Sequence, residues 1–268
     1  MNIVEAHYAE PGLWERVREA LRQSGLNPDR LDQADLARLD QFHVGGMDAT
    51  NRLAHLAGIQ QSDRVLDLGS GIGGPSRHLA ATVGCHVTGL DLTAEYCEVA
   101  SMLARSTGRA HLVGYQQGDA LHAPFEDQAF DVVWTQHASM NIEDKPALYR
   151  EIFRLLKKGG RLAVHDVVAG AGVVHYPVPW ARRPELSFLI SHEEMRSAFT
   201  ATGFRAVVSQ DVTYEGIEAL RQVASRASSS AFGIQTLMGV QFPLMIANLS
   251  ANLQSGSCRL VQATCVNM

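Results

Sequence analysis

Asp67, the glycines around Gly69, Asp91 and His137 are the residues whose types and spacing could do chemistry. Residues 65–76 read Val-Leu-Asp-Leu-Gly-Ser-Gly-Ile-Gly-Gly-Pro-Ser, and Arg77-His78-Leu79-Ala80-Ala81 then reads as a helix start. Strand, tight turn and helix together present backbone N–H groups and a helix N-terminus to a ligand. Gly69, Gly71 and Gly74 satisfy G-x-G-x-x-G, a pattern shared by nicotinamide, flavin and S-adenosylmethionine (SAM) sites. Asp67 lies two residues before Gly69, where its carboxylate would repel a pyrophosphate and attract the ammonium of a methionine moiety. Asp91 closes a second apolar run, placed to accept from both hydroxyls of a ribose.

VLDLGSGIGG, VTGLDLT, QQGDALHAPFEDQAFDVVWTQ and LKKGGRLAVHDV, in that order, resemble the successive motifs of class I SAM-dependent methyltransferases, over about residues 40–210. The chain is similar to the small-molecule branch: ubiquinone/menaquinone C-methylases, phosphoethanolamine and glycine-sarcosine N-methylases, and sugar O-methylases. The resemblance implies SAM as cofactor and a small-molecule methyl acceptor as partner. It sets the backbone of Gly69 to Gly71 against the methionine moiety and Asp67 on its ammonium. Asp91 would then hold the ribose, Leu92 the adenine face and Asp119 the adenine amino group, with Ala120 beside the ring. Gln136, ending the expected fourth strand, is counted with this shell. For Asp119 the alternative to the adenine role is a turn cap.

Residues 134–149 are similar, position for position, to the phosphoethanolamine N-methylases, with two departures. That family has Asp at the place of His137 and a catalytic His at the place of Asn141. The departures remove its amine-and-phosphate arrangement. His137 instead offers a proton acceptor of near-neutral pKa at the crevice, or else orders the cofactor carboxylate. Asp166 closes the fifth expected strand, where sugar O-methylases carry a catalytic acid and where a turn cap would also stand. His43, in the glycine-bearing stretch 41–47, is the third catalytic candidate. Met140, Asn141, Tyr176 and Trp180 are substrate candidates, the last two forming an aromatic wall with His175. None of the eleven histidines stands at H-x-x-x-H or H-x-H spacing, so a metal-free site is expected. The expected reaction is methyl transfer to N or O of an uncharged or aromatic metabolite. The alternatives are C-methylation of a quinol-like ring, a nicotinamide-dependent oxidoreductase, and a non-catalytic SAM-binding protein.

Positioning these residues takes a regular alternation of elements. Apolar runs predict strands over 64–68, 86–90, 111–116, 130–135, 161–167, 204–210 and 258–266. Helices are expected near 74–83, 94–107, 144–157, 192–202 and 217–226, after amphipathic helices over 11–40 and a helix over 47–58. Such alternation makes an α/β, Rossmann-like doubly wound sheet. By resemblance it has seven strands with the last antiparallel. The chain divides, as one domain over 1–268, into N-terminal cap helices (1–58), a SAM-binding core (59–168) and substrate-lid insertions (169–191 and 215–257). Phe232, Leu237, Met238, Phe242, Leu244, Met245 and Ile246 in the second insertion read as packed core or as the face of a homodimer.

Bulk properties narrow the classes. A chain of 268 residues buries roughly 70–75% of its unfolded surface without disulfide staples. Its net charge of −5 and lack of a basic run argue against nucleic acid or a membrane surface as partner. Cys85, Cys97, Cys258 and Cys265 show no C-x-x-C spacing and read as reduced thiols. No leader pattern opens the sequence and no apolar run reaches about 18 residues, so a cytoplasmic location is expected.

Overall fold

The computed structural model describes residues 12–37, 39–226, 239 and 241–268. One mixed sheet of seven strands organises them: β1 (Arg64–Leu68), β2 (His86–Asp91), β3 (Val113–Gln117), β4 (Phe130–Gln136), β5 (Leu156–Ala169), β6 (Arg205–Asp211) and β7 (Cys258–Val266). Their spatial order is β3-β2-β1-β4-β5-β7-β6, with β7 antiparallel to both neighbours. The order reverses beside β1, where β1 and β4 diverge from one another in connectivity; ligands bind outside the strand ends at such a point. The expected doubly wound sheet with an antiparallel last strand is therefore the observed fold.

The helices are α1 (Leu13–Gln23), a single turn α2 (Gln33–Leu36), α3 (Gly46–Ala57), α4 (Gly74–Thr82), α5 (Ala94–Ser106), α6 (Lys145–Leu155), α7 (His192–Thr202), α8 (Thr213–Arg226) and α9 (Phe242–Ser255). α1 forms because Leu13, Val17 and Leu21 recur every fourth residue, and all three are buried against Tyr96, Val99 and Leu103 of α5. Asp144 accepts from Ala147 N–H to start α6, and Ser191 with Glu194 builds a capping box on α7.

Three boundaries differ from the sequence expectation. α6 runs into β5 without a loop, so β5 begins at Leu156, paired with Phe130, rather than near 161. The stretch 11–40 holds one regular helix and one turn. The described residues of 215–257 are mostly helical, with α8 and α9 packed together and Met245, Leu249 and Leu253 buried. Leu244 is exposed, while Phe232, Leu237 and Met238 lie outside the described residues.

Candidate active site

The turn after β1 brings glycine backbone against two acids. Gly69 (φ 80°) has room only for hydrogen, since a Cβ there would stand 2.5 Å from the Ala138 Cβ. At Gly73 (φ 79°) a Cβ would stand 2.2 Å from the Tyr115 hydroxyl oxygen. Gly69 and Ser70 N–H groups donate to the Leu90 carbonyl at 2.8 and 3.1 Å, tying the turn to the end of β2. Asp91 accepts from Gly71 N–H at 2.8 Å and Thr93 N–H at 2.9 Å. Its own carbonyl accepts from Gly118 N–H at 2.9 Å, and the Leu92 carbonyl accepts from Gln117 at 3.1 Å. The ends of β1, β2 and β3 are thus laced together.

Asp67 is 2% exposed and accepts from the Ser76 hydroxyl. Burial pushes its carboxyl up to about 7; Ser76 opposes the shift and the Asp91 charge adds to it. Burial also raises Asp91, against its backbone donors. Neither acid forms an ion pair among the described residues. Asp119 is exposed and caps its own turn, accepting from Leu121 N–H at 2.9 Å. Ala120 packs against the central core beside Leu90.

A stretch before α3 covers this turn. Asp40 and Arg77 form an ion pair at 2.8 Å with both side chains fully buried. Burial raises the Asp40 carboxyl, opposed chiefly by the Arg77 charge. Arg77 also donates to the Ile72 carbonyl at 2.7 Å. Phe42 follows; its ring edge lies 3.6 Å from the position of a Cβ on Gly71, and it stacks on Tyr96 at 6.1 Å. The sequence reading missed Asp40, Phe42 and Arg77.

The end of β4 carries the second half of the site. Gln136 pairs with His165 across the β4–β5 ladder, and His137 N–H donates to the His165 carbonyl at 2.8 Å. This bond accompanies a left-handed backbone at His137 (φ 52°). His137 stacks on His165 at 5.0 Å, and both rings meet His43 edge-on, at 6.1 and 5.9 Å. His43 Nε2 donates to the Gly46 carbonyl at 2.9 Å and His165 Nε2 to the Val44 carbonyl at 3.0 Å. Burial lowers all three: His43 to about 4, His165 to about 3, and His137 well below the ordinary imidazole value. His137 Nε2 and His165 Nδ1 are buried without a hydrogen-bond partner. Gln136 accepts from Trp134 at 3.0 Å and Thr50 at 3.3 Å, so it forms the floor of this cluster. His165 was not among the sequence candidates.

The structure separates Asp166 from the imidazoles. Strand side chains alternate between faces, so Asp166 points to the face opposite His165. There it accepts from the Ser139 hydroxyl beneath the turn Ser139–Asn141. Burial raises it to about 6, with Ser139 and then Lys145 opposing. Lys145 Nζ is itself buried, donating to the carbonyls of Ser139, Ile142 and Phe188, and burial lowers it to about 8. Asp166 and Lys145 therefore hold the turn that follows His137.

The substrate candidates are also placed. Asn141 donates to the Trp180 carbonyl at 2.7 Å, and the Met140 carbonyl accepts from Phe188 N–H at 2.8 Å, so this turn anchors the segment 170–190. Trp180 is 2% exposed with its indole N–H on Ser187, a packed side chain rather than an open wall. Tyr176 is half-buried on the same cluster. His175 is exposed, its backbone held by both amide atoms of buried Asn252 at 2.8 and 3.0 Å. No group of His, Cys, Asp or Glu among the described residues is arranged to hold a metal ion.

The arrangement fits a cationic amino-acid nucleoside. A buried acid, Asp67, and a half-buried one, Asp91, neither with an ion-pair partner among the described residues, stand at a turn whose Gly69 admits no Cβ. An ammonium would relieve their mutual repulsion; a pyrophosphate would increase it. Residues 66–164 match the family model described as a methyltransferase domain. Over 134 residues the chain is 33% identical to Methyltransferase GfsG of Streptomyces halstedii, covering 50% of this chain and 48% of that protein. Over 163 residues it is 32% identical to a glycine/sarcosine/dimethylglycine N-methyltransferase of Actinopolyspora halophila, covering 60% of this chain and 29% of that one. It thus spans about half or less of these curated relatives. A solved structure of geranyl diphosphate C-methyltransferase from Streptomyces coelicolor A3(2), in complex with Mg2+, geranyl diphosphate and S-adenosyl-L-homocysteine, shares the fold. It matches with a TM-score of 0.68 at 20% identity, over 83% of this chain and 79% of that one.

Proposed function

We propose that this chain, whose residues 66–164 match the methyltransferase-domain model, is a class I SAM-dependent methyltransferase that transfers a methyl group from SAM to a nitrogen or oxygen of a small, uncharged or aromatic acceptor. The observation that carries the reading is the buried Asp67 and the half-buried Asp91 together at the glycine turn, with no cation beside either among the described residues. Asp67 takes the ammonium, Asp91 the ribose hydroxyls, and Leu92, Asp119 and Ala120 the adenine. Asp91 is pre-aimed by its Gly71 and Thr93 donors. When bound, SAM supplies a methyl carbon already activated on a sulfonium sulfur. The protein's task is then to orient the acceptor, exclude water and take up one proton. On this reading His137, just after β4 and stacked on His165, accepts that proton. Asp166 acts at a distance, by fixing the turn behind His137. The net charge of −5 supports a small-molecule acceptor over nucleic acid.

Calorimetric titration with SAM and with NAD tests the cofactor. SAM binds and NAD does not; the reverse result refutes the reading. Formation of S-adenosylhomocysteine with any small acceptor then separates an enzyme from a binding protein.

A further inference from the structure

Asp40 and Arg77 are a charged pair that the methyl-transfer reading leaves without a task. Both side chains are fully buried, 2.8 Å apart. Burying two charges costs desolvation that their attraction scarcely repays, and an apolar pair of similar volume holds a fold as well or better. What a guanidinium adds is direction, because its planar fork fixes several acceptors against one another. The Arg77 fork donates to the Ile72 carbonyl in the glycine turn at 2.7 Å, to the Ala100 carbonyl in α5 at 3.5 Å and to Asp40 at 2.8 Å. One side chain thus sets the glycine turn, α5 and the stretch before α3 against one another. We infer that Asp40 and Arg77 are a positioning pair for the cofactor: acting through Phe42, they hold residues 40–46 across the glycine turn in one register and so set how tightly SAM is retained. The inference rests on the SAM-dependent reading above.

The register is fixed from both sides. Both carboxylate oxygens of Asp40 are occupied: Oδ2 accepts from Arg77 and from Gln33 at 3.2 Å, and Oδ1 accepts from Gln41 at 2.8 Å. The Asp40 carbonyl oxygen lies against the start of α4, where a Cβ on Gly74 would stand 2.1 Å from it. From the other side Tyr115 of β3 donates to the Gly73 carbonyl at 3.2 Å. Ile72, whose carbonyl Arg77 takes, is fully buried. Phe42 follows Asp40 by two residues, so its place is set by that anchor. Its half-buried ring lies 3.6 Å from the position of a Cβ on Gly71 and stacks on Tyr96 of α5. Gly71 N–H is the donor that aims Asp91. The next residue, His43, ties the stretch to α3 through the Gly46 carbonyl and Thr50. Two apolar side chains in place of the pair would fill the volume without selecting one register. The loss then falls on SAM retention rather than on stability.

The test titrates the full chain with SAM by calorimetry, under conditions where urea unfolding shows each variant folded. Phe42→Ala is expected to weaken SAM about tenfold, the worth of part of a buried ring. Asp40→Leu/Arg77→Met is expected to weaken it about tenfold as well, although it recovers most of the stability that Arg77→Met alone loses. All three substitutions together should again cost about tenfold, because a ring no longer held in place cannot be lost twice. Arg77→Lys keeps the charge without the fork and enters the same cycle if the double variant fails to fold. Hydrogen exchange on the wild type is an independent readout: the amides of residues 41–46 should gain protection when SAM binds. Wild-type affinity in Phe42→Ala or in the pair variant, losses that multiply to about a hundredfold in the triple variant, or exchange at 41–46 that ignores SAM would each overturn the inference while leaving the earlier reading intact. A wild type that fails to bind SAM would overturn both.

Discussion

Replacing Asp67 by Asn should remove the pH dependence of SAM binding and show what a buried acid contributes at the glycine turn. In the free protein this carboxyl ionises near 7, because burial and then the Asp91 charge outweigh the Ser76 hydrogen bond. Only the ionised form can take an ammonium. With a value of about 7, the ionised share falls from about three-quarters at pH 7.5 to about 3% at pH 5.5, so SAM affinity should fall about 25-fold. Stability runs the opposite way. The folded value lies above the unfolded one, so the free protein loses stability as pH rises from the ordinary carboxylate range through 7. The complex is relieved of that loss, so the thermal shift produced by SAM should be larger at pH 7.5 than at pH 5.5. Asp67→Asn should flatten the dependence and, at pH 7.5, weaken binding by about 1.5–3 kcal/mol, the value of a hydrogen bond to a charged group. Calorimetry in buffers of matched ionic strength reads both. A wild-type affinity that ignores pH, or an equal slope in Asp67→Asn, would refute the reasoning.

Asp91→Ala deletes the acceptor of two backbone donors and of the ribose, and SAM affinity should drop at least tenfold by the same titration. Arg77→Met strands a buried carboxylate on Asp40 and should cost about 3–5 kcal/mol in denaturant unfolding. Asp40→Leu/Arg77→Met together should recover much of that loss, because the unpaired charge is gone. Asn252→Ala removes both bonds that hold the backbone of His175; a loss of about 1–3 kcal/mol in stability is expected, with SAM affinity unchanged.

The clustering of the glycine turn with its two acids was legible because its signals are local. Asp67, Gly69, Gly71 and Asp91 stand on one strand–turn–helix unit and the next strand, and their spacing reports their placement. The strand alternation was legible for the same reason. The contacts between distant segments were not. Asp40 and Arg77 are far apart in sequence, and nothing in either segment announces the other. His43, His137 and His165 come from three elements that only the sheet order brings together. Of the adjacent pair His165 and Asp166, sequence reasoning chose the acid. The pleat sends that acid to the opposite face and leaves the imidazole at the crevice. Trp180 looked available because aromatic residues in an insertion resemble a pocket lining, yet its indole N–H is already satisfied by Ser187.

The placement of β7 between β5 and β6 has a kinetic consequence. As the chain leaves a ribosome, β6 emerges before its partner, because among the described residues the strand beside it in the sheet is made of residues 258–266. Until those residues appear, the outer edge of β5 and all of β6 stay open to pairing with other chains, the exposure that invites aggregation. A translational pause just before residue 258 should therefore be tolerated poorly.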